Sequence, residues 1–319
     1  MDTEGGAATL IVTPAGESVL VDTGFSGGRD AGRIHQVATQ AGLRSIDHVI
    51  LTHYHMDHFG GLAELAELMP VGTLHERGRD TAPEPERSEP RLDVFAKAKV
   101  GRRRLVKAGD DLDLKAVPGG LTPKLRFLAA NQEVVKGGRS NQKVCAGSEV
   151  GGTDTSDNAN SLAMVLEFGA FRFFDGGDLT WNIEAKLVCP LDTTGSVDVF
   201  QIDHHGTDNS NNPVLVATLA PTVVVFNNGP RKGGDKNSVQ VAKNAPSVKA
   251  VYQLHRNVKE GAPNTADELI ANRDEDCAGN HIKLSVDAKG DAYTVAIPAA
   301  RQERAFKTRA PAKVGSSGD

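Results

Sequence analysis

Apolar, strand-forming runs in this chain end repeatedly in bursts of polar residues able to do chemistry. Leu20-Val21 leads into Asp22-Thr23-Gly24, and the run 49–51 leads into Thr52-His53-Tyr54-His55-Met56-Asp57-His58. Phe173-Phe174 leads into Asp175-Gly176-Gly177-Asp178, and the run 199–202 into Asp203-His204-His205-Gly206. The run 223–226 leads into Asn227-Asn228-Gly229, and 251–254 into His255. In layered α/β folds, ligands gather at the carboxyl ends of strands, so these endings predict one shared site on an α/β scaffold.

The rest of the chain agrees with that class. Its 319 residues are 39% hydrophobic and 24% charged, enough apolar surface for a sizeable core. A net charge of −5 argues against a general nucleic-acid binder, and nucleic acid is not the favoured partner. No apolar run approaches the ~20 residues that a membrane helix needs, so a soluble globular protein is expected. Residues 8–12 and 19–22 read as a hairpin, 29–41 and 61–69 as helices, and 48–52 as a strand. Hairpins are expected at 161–168 with 171–174 and at 281–286 with 292–297, and buried strands at 197–202, 222–226 and 250–254. We expect one domain over 1–310, with an insertion at 76–104, a long loop at 131–160 and a disordered tail at 311–319.

His53-x-His55-x-Asp57-His58 carries the strongest chemical signal, with three of the ten histidines in six residues beside a carboxylate. Imidazole nitrogen and carboxylate oxygen suit zinc and similar borderline metals. A strand running into a loop puts His53 and His55 on one side. A turn opened by Gly60-Gly61 then aims Asp57 and His58 at a neighbouring position, which is a geometry for two metals in one pocket.

These residues, with Val21-Asp22-Thr23-Gly24, Gly177-Asp178-Leu179 and His204-His205-Gly206, resemble the metallo-β-lactamase superfamily in both content and order. The His-His-Gly element and the strand entry Asn160-Ser161-Leu162 are most similar to its ComEC-like branch. The resemblance implies a four-layered αβ/βα sandwich with a binuclear metal centre at one edge. It implies two Zn2+ ions, with Mn2+ or Fe2+ as alternatives, and a metal-bridging hydroxide as nucleophile. His53 and His55 would hold the first metal, Asp57 and His58 the second, and Asp178 would bridge both. One of His204 and His205 would complete the second site, with His205 favoured. Asp22 would orient a ligand histidine through its ring N–H. Many members carry a further first-site histidine before the strand entry, whereas this chain has none between His75 and His204. Asp157 is the oxygen donor that stands near that place.

Three further expectations concern substrate. His255, or the spare histidine of the pair, is the candidate proton donor to the leaving group, and Asp57 is counted with the catalytic groups. Asn228, Arg231 and Lys232, in a Gly-rich turn on the same face, are candidates for receiving a phosphate. Arg102-Arg103-Arg104 reads as a solvated face, and Trp181 as packing beneath the site. The leading expectation is a metal-dependent hydrolase of phosphoesters, phosphodiesters foremost. A β-lactamase or lactonase-type amide or ester hydrolase is the alternative, and a non-catalytic binding module the third class. Cys145, Cys189 and Cys277 allow one disulfide with one free thiol, or three thiols. The abrupt start of the first strand favours export over the cytoplasm, with a signal peptide removed. Cys145 would then pair with Cys189 or Cys277.

Overall fold

A computed structural model describes residues 1–148 and 151–309, so the tail expected at 311–319 and part of the loop at 131–160 lie outside the described residues. The first sheet has strand order β1 (Thr9–Val12), β2 (Ser18–Val21), β3 (Ile46–Ile50), β4 (Val71–Glu76) and β5 (Val100–Leu105). β1 pairs antiparallel with β2, and β2 to β5 run parallel. Alternation along the strands divides their side chains between two cores. Leu20 and Val49 face α1 (Arg29–Gln40), α3 (Leu62–Leu68) and α4 (Arg91–Ala96), whereas Val19, Val21 and Ile50 face the second sheet. α1 buries Ala31, Ile34 and Ala38 along one stripe, and the carboxylate of Glu64 on α3 accepts the Gly27 and Gly28 N–H groups ahead of it, each at 2.8 Å. A short helix, α2 (Met56–Phe59), precedes α3.

The second sheet, nine-stranded among the described residues, begins with β6 (Asp111–Leu112), β7 (Lys124–Ala130) and β8 (Glu133–Val134). Next come β9 (Arg139–Ser140), which pairs outside that sheet, and α5 (Gln142–Cys145). The hairpin β10 (Ala163–Phe168) and β11 (Phe171–Asp175) follows, then α6 (Trp181–Val188) and β12 (Leu191–Asp192), the partner of β9. β13 (Val199–Gln201), α7 (Pro213–Leu219), β14 (Val223–Phe226), α8 (Lys236–Asn244), β15 (Ala250–His255) and β16 (Ile270–Asn272) complete it, with β11 and β13 to β16 parallel. Phe200, Val224 and Val251 pack under α6 to α8, while Leu125, Phe127, Met164 and Leu166 meet the first sheet. Helix, sheet, sheet and helix therefore stack as an αβ/βα sandwich of the α/β class. A three-stranded antiparallel sheet, β17 (Lys283–Val286), β18 (Ala292–Ile297) and β19 (Gln302–Lys307), covers Val199, Val223 and Tyr252 on the remaining inner face. No described helix is long and apolar enough to cross a membrane.

The segment expected as an insertion at 76–104 is instead largely a parallel crossover, because Leu92 and Phe95 bury against the first core and β5 joins the sheet. Its arginines have fixed roles: Arg102 Nε donates to Thr73 Oγ1 at 2.9 Å, and Arg103 pairs with Glu76 at 2.9 Å and lies over the Phe95 ring. An edge strand carrying such charge resists pairing with a further chain. Cys145 and Cys189 form a disulfide that ties α5 to the end of α6, and Cys277 is a free thiol.

Candidate metal centre

Four strand ends converge at one edge of the sandwich. Asp22 leaves β2 with φ of 59°, and its carboxylate accepts the Thr52 N–H at 2.8 Å and meets His58 Nδ1 at 2.7 Å. β3 delivers His53 and His55, and α2 then carries Asp57 and His58. The turn after α2 needs Gly60, since a Cβ there would lie 2.4 Å from the Met56 carbonyl oxygen and 2.5 Å from the Ser26 nitrogen. Beyond β11 comes Asp178, and beyond β13 come His204 and His205, both in the left-handed region at φ of 51° and 56°.

Asp57, His58, Asp178 and His205 present one ligand atom each to a common buried point, and His53 and His55 form a second group with the same Asp178. In the first group, His58 Nε2 lies 3.2 Å from Asp178 Oδ2 and 3.3 Å from Asp57 Oδ2. His205 Nε2 lies 3.1 Å from Asp57 Oδ2, 3.4 Å from Asp178 Oδ2 and 3.3 Å from His58 Nε2. In the second group, His53 Nε2 faces His55 Nδ1 at 2.9 Å and Asp178 Oδ2 at 3.7 Å. Ring nitrogens facing one another cannot all be satisfied by protons, and Asp178 Oδ1 is buried without a partner. Imidazoles and carboxylates aimed inward fit divalent cations, which would take the place of protons between them.

The charges around the cluster are strongly coupled. Burial opposes ionisation of Asp57, but His58 and hydrogen bonds from His205 and His58 hold its carboxyl well below the usual range. Burial likewise opposes Asp178, which His205, His58 and His204 hold low. Burial pushes His58 down, yet Asp178, Asp57 and Asp22 together raise it well above its ordinary value. His53 is driven well below its own by burial and then by the neighbouring His58 and His55.

The remaining predicted residues divide. His205, not His204, joins the four-residue group. His204 sits at the rim, its Nε2 3.6 Å from Asp178 Oδ2 and its Nδ1 3.3 Å from Ser210 Oγ. Lys232 reaches the cluster, with its ammonium on Asp57 Oδ2 and 5.8 Å from the Phe25 ring centroid. Arg231 does not, because it is exposed and pairs with Glu275. Asn228 is buried and donates to the carbonyls of Gly229 and His255, so it supports the turn. Asp157 stands outside both groups, engaged by Arg77 through one oxygen and by the Tyr54 N–H at 2.6 Å through the other. His255 is also turned away, its Nε2 2.8 Å from Asp2 Oδ1. Trp181 donates to the Ser210 carbonyl at 2.9 Å.

Two participants escape the sequence reading. Glu86, on the crossover between β4 and β5, places Oε1 3.0 Å from His55 Nε2, the nitrogen opposite the one that faces His53. Its Oε2 is buried and unpartnered. Nothing local marks it, since it lies in a charged, proline-rich stretch. Asp203, directly before the histidine pair, is buried with no N–H or O–H donor among the described residues. Its available bond is one that it donates, as the protonated acid, to Glu184. Burial and then Glu184 raise Asp203 well above the carboxylate range, and burial raises Glu184 to about 7 while it accepts the Asn211 and Asn212 N–H groups.

Comparison with known proteins places these residues in context. Residues 1–125 match the family model described as the Metallo-beta-lactamase superfamily. Over 65 residues the chain is 37% identical to the lactamase-like protein notP of Aspergillus sp. (strain MF297-2), a stretch that spans 20% of each protein. Among solved structures, it is similar to the metallo-beta-lactamase fold protein YhfI from Bacillus subtilis at 16% identity, covering 79% of this chain and 90% of that one with a TM-score of 0.45. It is also similar to Zn(2+)-bound PqqB from Methylobacterium extorquens, at 16% identity over 77% of this chain and 85% of that one, with a TM-score of 0.43. The match to the metallo-β-lactamase superfamily model covers 125 of the 319 residues, a stretch that holds Asp22, His53, His55, Asp57 and His58.

Proposed function

We propose that the protein is a binuclear metal-dependent hydrolase of phosphoesters, phosphodiesters foremost, on the ComEC-like branch of the metallo-β-lactamase superfamily. The superfamily match and the buried ligand groups support the metal-dependent hydrolase. His204-His205-Gly206 supports the branch. The choice of substrate rests on Lys232, whose ammonium lies against Asp57 within the ligand group itself. A phosphodiester carries its negative charge on the atoms under attack. A β-lactam carries its carboxylate apart from the reacting carbonyl, and a lactone carries no charge. A cation at the reacting centre therefore suits the phosphodiester.

His53 and His55 would hold the first metal, Asp57, His58 and His205 the second, and Asp178 both. When bound, such a pair supplies Lewis acidity and lowers the pKa of water towards ~7. The chain itself does the rest. Lys232 positions the anion and balances its charge, Asp22 and Glu86 hold the rings of His58 and His55, and His204 at the rim carries a proton to the leaving group.

The test is hydrolysis of bis(p-nitrophenyl) phosphate with added Zn2+ or Mn2+. Turnover is expected in the wild type and absent in Asp178→Asn. Lys232→Met is expected to lose about tenfold to a hundredfold in kcat/KM on the diester, the range of a hydrogen bond to a charged group. A neutral p-nitrophenyl ester should feel Lys232→Met far less. Fully metallated protein that opens β-lactams or lactones and leaves the diester intact would overturn the proposal in favour of the amide or ester alternative.

A further inference from the structure

A third group of ligand atoms lies outside the centre and shares no residue with it. Asp2, His255 and Cys277 bring a carboxylate, an imidazole and a thiol together, with Asp2 and His255 buried and Cys277 partly so. Asp2 belongs to the N-terminal segment, His255 ends β15, and Cys277 stands on the connection between β16 and β17. His255 Nε2 lies 2.8 Å from Asp2 Oδ1 and 3.7 Å from Cys277 Sγ, and Cys277 Sγ lies 3.3 Å from Asp2 Oδ2.

The arrangement is convergent rather than sequential. A histidine relaying a proton between a carboxylate and a thiol uses its two ring nitrogens, one for each partner. Here the same nitrogen faces both, and the opposite Nδ1 is buried without a partner. Three donor atoms of different type, each directed at the others, form the pattern of a cation site. Nitrogen, oxygen and sulfur together suit zinc.

We propose that Asp2, His255 and Cys277 form a separate site for a zinc-class divalent cation, with a fourth position left to solvent. The charges close around such an ion. Arg33 lies 3.0 Å from Asp2 Oδ2 and 3.0 Å from Glu4 Oε1, so the guanidinium is matched by Glu4. One carboxylate and one thiolate then balance a dication. Arg33 Nη2, 3.9 Å from Cys277 Sγ, favours the thiolate, and Arg33 Nη1 donates to the outer oxygen of Asp2, leaving Oδ1 for the ion. Burial and then Asp2 raise the free thiol above its usual range, so the ion must displace its proton to solvent, and binding weakens as pH falls. The site braces the N-terminal segment, which farther on donates the Ala7 N–H to the Asp57 carbonyl at 3.0 Å.

Cobalt distinguishes this site from the other. Cys145 and Cys189 are joined, and every candidate ligand of the principal centre is nitrogen or oxygen, so a thiolate-to-cobalt charge-transfer band reports Cys277 alone. Chelator-stripped protein with intact disulfide is titrated with CoCl2 and followed in the near ultraviolet and the visible. The wild type should show the thiolate band and take up one equivalent beyond those of the histidine groups. Cys277→Ser should lose the band and that equivalent while keeping the visible bands, and Asp2→Asn should weaken both. Visible bands without a thiolate band in the wild type, or a thiolate band that persists in Cys277→Ser, would overturn the proposal.

Discussion

Asp22 Oδ2 meets His58 Nδ1 at 2.7 Å, and this contact decides which face of the ring looks into the centre. With Nδ1–H donated to the carboxylate, Nε2 is free towards Asp57, Asp178 and His205. In Asp22→Asn the amide would donate to Nδ1 and force the proton onto Nε2, where an ion must bind. We expect a ten- to hundredfold weaker second site, the usual range for losing such a partner. Zinc titration against a competing chelator measures it, and unchanged affinity would remove Asp22 from this role.

Glu86 stands to His55 as Asp22 stands to His58, but on the side of the histidine pair rather than of the four-residue group. Glu86→Gln should weaken one equivalent of metal and spare the other, because His55 belongs to the histidine pair and not to the four-residue group. Metal content after stepwise dialysis separates the two equivalents. Equal losses at both would show that Glu86 acts on the loop as a whole.

Asp157 is engaged by Arg77, whose side chain is almost fully buried with it. Removing one partner of a buried pair typically destabilises by about 3–5 kcal/mol. Asp157→Asn is therefore expected to unfold at lower temperature or denaturant while binding as much metal as the wild type. Loss of a metal equivalent at unchanged stability would restore Asp157 as a ligand.

Glu184 and Asp203 give the metal-free protein a characteristic pH response. Both carboxyls have folded pKa values above their unfolded ones, Glu184 at about 7 and Asp203 held well above its ordinary value by burial and by Glu184. The folded state then holds more protons than the unfolded state from the ordinary carboxylate range upwards, so stability falls as pH rises through about 7. Asp203→Asn keeps a neutral donor for Glu184 and should flatten that fall. Thermal midpoints of the stripped proteins between about pH 5 and about pH 8 are the readout. Parallel curves would mean that the pair does not share a proton.

The α/β class and the sheet-end site were legible because each key strand is followed at once by its polar residues. His53, His55, Asp57 and His58 are neighbours in the chain, so local spacing describes much of their geometry. Contacts made across the chain were not legible. Arg77 claims Asp157 from 80 residues away, and Asp2 claims His255 from a separation of 253. Both candidates had the right chemistry and a better-placed partner. β4 and β5 were missed for a related reason. Their charged residues look solvent-exposed, yet Glu76, which ends β4, and Arg77, which follows it, are buried within ion pairs that no single window displays.

The four-residue group is split evenly between the two halves of the sandwich. Asp57 and His58 follow the first sheet, whereas Asp178 and His205 follow the second, beyond the stretch matched by the family model. An ion held by all four is a rivet across the seam. It would bind only with the halves docked in register, and each tenfold increase in free ion above its dissociation constant would add about 1.4 kcal/mol against their separation. A fragment that ends near residue 125 would keep the conspicuous histidines and lack half the rivet.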